Sequence, residues 1–180
     1  MGRERGFGRW AAILVVAALF AAMVIGPPRG DARQATPAAT AAATPVVSSQ
    51  ILGTGLPPAA PRQTLYLYRV MVEPGARIVP HTHSGTQVAS IMAGELTYTV
   101  IQGEVTITRA ANGGTPGPTV RARSGHEVVL RPGDALVEHA GMIHHARNDG
   151  GQPVVILIAS LFATGEPLSR PAAAPATPTA

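Results

Sequence analysis

The chain has 180 residues, enough for one ordinary domain with flanking segments, and it has no cysteine, which excludes a disulfide framework, thiolate chemistry and a zinc ribbon. Lysine is absent as well, so all 14 basic residues are arginines, behind a formal net charge of +4. They are scattered, without a basic run or interleaved aromatics for base stacking, which argues against nucleic-acid binding.

Residues 1–9 carry three arginines, and residues 10–25 (WAAILVVAALFAAMVI) are uncharged and apolar. A positive stretch ahead of an apolar one reads as an export segment, which puts the rest of the chain outside the cytoplasm. A buried core helix is the alternative; the absence of a polar face and the Pro27-Pro28 stop argue against it. Sixteen apolar residues fall between a signal core and a full span, and Gly30-Asp31-Ala32 is only a weak cleavage site. Residues 1–31 are therefore expected to be either a cleaved signal or a retained membrane anchor. Residues 32–48 are rich in Ala, Thr and Pro and cannot bury enough apolar surface to offset their ordering entropy, so a linker is expected there. Residues 168–180 are expected to form a similar disordered Pro/Ala tail.

Between them, residues 49–167 read as one all-β domain. Turn signals such as Pro74-Gly75, Ala93-Gly94, Pro132-Gly133 and Asp149-Gly150-Gly151 separate short runs rich in Val, Ile, Leu and Thr. Strands are expected at 64–72, 87–92, 95–101, 105–109, 127–130, 135–137, 143–147 and 154–161. Many short strands at regular spacing indicate a sandwich or barrel. The stretch 112–119 (NGGTPGPT) reads as a mobile loop.

His81 and His83 form an His-x-His pair. On a strand such residues share a face, their side chains roughly 7 Å apart along it. Two imidazoles can then converge on one ion, with a third from a distant strand; His144 is the natural candidate. Gln87 has the same parity as His83, though Ser84-Gly85 can interrupt the strand. His126 and His145 read as solvated or packing residues, and Tyr98 as core with a hydroxyl able to reach a pocket. Glu95 is expected to face outward. Glu138, beside His139 in an expected turn, is the better acid/base residue.

Two spaced motifs resemble the cupin superfamily. The first is Gly75, five residues, His81-Thr82-His83, three residues, Gln87, six residues, Gly94; the second is Gly133, five residues, His139-Ala140-Gly141, two residues, His144, three residues, Asn148. The family pattern has Glu where this chain has Gln87 and Pro where it has His139; its other eight positions match. The resemblance implies a single-domain, RmlC-like jelly-roll barrel (a double-stranded β-helix) that binds a divalent transition metal, with Fe, Mn, Ni and Zn all open. It implies His81, His83 and His144 as ligands and position 87 as the fourth. It also implies that His139 sits near the mouth or behind the ligands. Three neutral imidazoles and an amide leave the ion's charge uncompensated, so an anionic small-molecule ligand is expected. If Gln87 does not ligate, a three-His set remains.

Two functions follow from the resemblance: a metalloenzyme of the dioxygenase, decarboxylase or isomerase kind, or a non-catalytic binding or sensing module. An His-x-Asp/Glu oxygenase is disfavoured because position 83 is His, and a serine hydrolase because no Gly-x-Ser-x-Gly elbow occurs. Homodimerisation is a further implication, with the apolar segment 50–72 covering a neighbour's edge.

Overall fold

The computed structural model describes residues 44–111 and 115–173. Its strands are β1 (Val47–Gly55), β2 (Gln63–Val72), β3 (Arg77–Thr82), β4 (Thr86–Ala93), β5 (Leu96–Gln102), β6 (Glu104–Thr108), β7 (Thr119–Arg123), β8 (Glu127–Leu130), β9 (Ala135–Glu138), β10 (Ile143–Arg147), β11 (Val154–Ala163) and β12 (Arg170–Pro171). Seven of them form one sheet in the order β1-β2-β11-β4-β9-β6-β7, and five form another in the order β12-β3-β10-β5-β8. All described pairings are antiparallel. The two sheets make the jelly roll.

Alternation along the strands builds the interior. On β2, Tyr68, Val70 and Val72 are buried while Leu65, Leu67 and Arg69 are exposed; on β11, Val154, Ile156, Ile158 and Phe162 point in. Each such side chain taken fully from water contributes about 1.5–3 kcal/mol before entropic costs. The two motif-two ends are tied into this core. Asn148 is buried; its amide nitrogen donates to the Val72 and Gln152 carbonyls, both at 2.8 Å, and its oxygen accepts from Gly150 N–H at 2.9 Å. Asp134 accepts from Arg109, Ala110 N–H and Arg131 N–H at 2.8–3.0 Å.

The eight expected strands all occur, with ends shifted by a residue or two. Four were not expected. β1 begins inside the expected linker; it is exposed along its whole length and is held by main-chain pairing with β2, which an apolar pattern cannot reveal. β3 contains Pro80, which weakens a strand reading, yet it pairs with β10 and β12. β7 is polar and pairs with β6. The expected tail is ordered at its start: Leu168 packs on the core, and Arg170 and Pro171 pair with Thr82 and His81. The expected export segment, most of the linker, residues 112–114 of the expected loop and the tail from residue 174 lie outside the described residues. Among the described residues no helix is long and apolar enough to cross a membrane.

Candidate metal centre

Three elements from the five-stranded sheet and its flank bring the histidines together. His81 ends β3 and lies opposite His144 of β10 in register. His83 follows the end of β3, where Gly85 lets the chain run against β11: a Cβ on Gly85 would stand 2.0 Å from the Leu161 carbonyl oxygen. The His83 ring stacks on Phe162 with centroids 5.4 Å apart. The rings of His81 and His144 are 4.2 Å apart, those of His81 and His83 4.9 Å, and those of His83 and His144 5.3 Å. One nitrogen from each lies within 4.8 Å of the others.

The hydrogen bonds behind the rings select which nitrogens face the centre. His81 Nδ1 is 2.9 Å from the Val79 carbonyl oxygen, and His83 Nδ1 is 2.7 Å from that of Leu168. A carbonyl only accepts, so each Nδ1 carries the proton and each Nε2 presents its lone pair, that of His83 toward the Gln87 amide nitrogen. Burial, and then the neighbouring His144, lower the His81 pKa to about 4. Burial, with His83 and His145 beside it, lowers that of His144 to about 3. Both rings are neutral at pH 7, the state in which imidazole ligates. Three convergent imidazoles are a donor set that fits a divalent transition ion.

Gln87 lies in the same cavity, buried on β4. Its oxygen accepts from the Tyr68 hydroxyl at 2.7 Å, and its nitrogen donates to Glu138 and stands 3.1 Å from His83 Nε2. The amide therefore turns its nitrogen, which cannot ligate, toward the rings, whereas ligation by Gln87 requires the oxygen there. Glu138 closes β9, not a turn, and is buried. Its Oε1 accepts from the Tyr98 hydroxyl at 2.8 Å. Burial, and then the Glu138 charge, push both tyrosine hydroxyls above their ordinary pKa, so both remain proton donors.

The remaining expectations divide. His139 is exposed and outside the cavity lining. His126 is exposed, its Nδ1 accepting from Arg123 N–H; His145 points away from the centre; Glu95 faces solvent and pairs with Arg131. Sequence reasoning missed Tyr68 altogether. Its alternation on β2 marked it as core, and nothing local shows which buried tyrosine meets a polar partner.

The centre opens into a cavity of about 200 Å³ lined mainly by apolar side chains, among them Ile78, Ile91, Leu96, Leu130 and Ile156. A site of this kind can hold an ion, bind one small oxygen-bearing molecule and exclude bulk water around it.

No curated protein matches the chain. Among solved structures, KdgF from Halomonas sp. is 19% identical over 66% of this chain and 82% of its own, with a TM-score of 0.44. A cupin 2 domain-containing protein from Halorhodospira halophila is 17% identical over 71% of each chain, with a TM-score of 0.45. A chain from the crystal structures of the DMSP lyases RdDddP and RnDddQII is 15% identical over 61% of this chain, with a TM-score of 0.44, and this chain spans 44% of its length. The family model described as Cupin matches residues 58–171, more than half of the chain and both motifs, and the protein belongs to the cupin family.

Proposed function

We propose that this protein is an exported cupin, secreted or held at the membrane by residues 10–25, whose centre at His81, His83 and His144 binds one divalent transition metal and, on it, a small oxygen-bearing ligand. The observation that carries the reading is the convergence of three imidazoles at the end of an apolar cavity, two of them with Nδ1 fixed by a backbone carbonyl. Gln87 would border an ion held there, its amide nitrogen standing 3.1 Å from His83 Nε2. When bound, the ion supplies Lewis-acid polarisation of a ligand oxygen. The chain's own groups do the rest: Tyr68 and Tyr98 hold protons at their hydroxyls, Glu138 is a buried hydrogen-bond acceptor, and the apolar lining excludes water. These parts suit chemistry on a small hydroxy, keto or carboxylate compound, of the dioxygenase, decarboxylase or isomerase kind. A binding or sensing module is the second reading, favoured by the commitment of Glu138 to Tyr98 and Gln87.

Metal analysis of the purified protein, followed by spectroscopy with small carboxylates and dioxygen, tests it. One ion per chain with ligand-dependent turnover supports the enzyme; one ion with ligand binding and no turnover supports the module; no ion removes both. A homodimer is also proposed, packed through the outer face of the seven-stranded sheet.

A further inference from the structure

We propose that Glu138 is the carboxylate ligand of the metal centre, and that Gln87 is a positioning residue that aims it. This rests on the metal reading above and deepens it. β4 and β9 pair in register with Gln87 directly opposite Glu138, and both side chains point inward. At position 87 the first motif resembles a family pattern that has Glu. Here the acid stands one strand away and the amide takes its place.

The geometry carries the assignment. Glu138 Oε1 lies 3.4 Å from His144 Nε2, and Oε2 lies 3.6 Å from His83 Nε2. Two atoms bound to one ion at about 2.0–2.2 Å lie roughly 3.0–3.4 Å apart at angles between square and tetrahedral. The observed separations sit at or just beyond that span, and they are long for direct hydrogen bonds. Each carboxylate oxygen accepts one hydrogen bond, Oε1 from Tyr98 and Oε2 from Gln87. Each keeps a further lone pair for the centre.

Charge points the same way. Glu138 is 3% exposed, and among the described residues no arginine lies within ion-pair distance of it; its near neighbours are the rings of His83 and His144. A buried carboxylate without a cation is costly, and a dication at the centre supplies one. The Gln87 amide is fixed by the same network. Turned over, its oxygen would face the Glu138 carboxylate, and the hydrogen bond from Tyr68 would be lost. With Glu138 as ligand, the ion and carboxylate leave one net positive charge, which suits a ligand with a single anionic oxygen.

The test uses the full chain in mild detergent. Mn(II) affinity is measured by calorimetry and the Co(II) absorption spectrum is recorded for wild type, Glu138→Gln, and the double substitution Gln87→Glu with Glu138→Gln. Glu138→Gln should weaken Mn(II) binding by about 100-fold or more, beyond what loss of an outer hydrogen-bonding partner usually costs, and should change the Co(II) bands. The double substitution moves the carboxylate back across the strand pair and should recover most of the affinity. An infrared difference spectrum of wild type with and without Mn(II) should show one carboxylate changing its stretching frequency, a readout independent of variant folding. Mn(II) affinity within about threefold of wild type in Glu138→Gln, with an unchanged Co(II) spectrum, overturns the inference and leaves the three-histidine metal reading intact. So does the absence of a carboxylate band in the wild-type difference spectrum. Failure of wild type to bind any divalent ion overturns the metal reading and this inference together.

Discussion

The three rings of the centre are held in different ways, and their substitutions should differ accordingly. His81 and His83 each lean on a backbone carbonyl, whereas His144 Nδ1 is buried without a hydrogen-bond partner among the described residues and its ring stacks on Tyr98 with centroids 5.1 Å apart. Either His81→Ala or His144→Ala should reduce bound metal from one ion per chain to a trace, read by elemental analysis; full metal in both variants would refute the site. His144→Ala also empties volume beside Tyr98 and should cost about 2 kcal/mol or more of stability in urea, and His81→Ala less, because His81 is only half-buried. Gln87→Glu sets two carboxylates against each other, since the Gln87 amide nitrogen now donates to Glu138. The chelator-treated variant should be less stable than wild type by about 2–4 kcal/mol at pH 7, and saturating Mn(II) should restore much of that.

At the scale of the elements, the site depends on turns whose work is done by buried polar groups. Asn148 ties the β10–β11 turn together through hydrogen bonds with Gln152 and Gly150 and joins it to the end of β2 through a third, to Val72. Asn148→Asp keeps the shape but removes both donors, and should cost about 2–4 kcal/mol by chemical denaturation. Asp134 closes the β8–β9 turn. Burial pushes its carboxyl up, but hydrogen bonds from Arg131 N–H, Arg109 and Ala110 N–H outweigh that and hold it below the ordinary value of 3.8. A carboxyl depressed in the folded state contributes stability above its unfolded pKa and loses it as pH falls through the folded one. The urea midpoint of wild type should therefore drop below about pH 3.8, and that of Asp134→Asn should drop less over the same range. Equal slopes would remove Asp134 from the account. Gly85 is constrained by space: Gly85→Ala drives a methyl into the Leu161 carbonyl and should cost about 2–3 kcal/mol while displacing His83 from Phe162.

The whole molecule leaves one apolar face without cover among the described residues. On the outer side of the seven-stranded sheet, Leu67, Ala159 and Val88 lie in one register row, with Leu65 and Leu161 in the next; Met92 lies the other way along the strands, past the row of Arg69, Leu157 and Ser90. Leu65, Leu67, Val88 and Met92 are each between 42% and 55% exposed, more than scattered surface residues of a monomer require. A second copy of the chain covers such a face most simply, because sheet can pack on sheet about a two-fold axis. Sedimentation at micromolar concentration should show a dimer. Leu67→Arg should shift it to monomer while metal content stays the same, since Leu67 points away from the cavity.

Two spaced motifs and the alternation of apolar residues determined the fold and the three histidines, because motif spacing and strand parity are local properties. Gly94 turns at φ 73°, as the Ala93-Gly94 turn signal implies, whereas the burial and hydrogen bonding of Asn148 emerge only in the structure. The exposed strand β1 was not legible, since main-chain pairing leaves no mark on side-chain pattern. Nor was the environment of Gln87. Its neighbour Glu138 is 51 residues away in sequence, and Tyr68 is 19 residues away on another strand. The expectation of an uncompensated dication followed from counting the ligands within the motifs alone. Which strands pair, and in which register, decides that a carboxylate and two tyrosine hydroxyls share the cavity with the rings. Long-range register is set by the packing of the whole barrel, and so only the tertiary structure decides it.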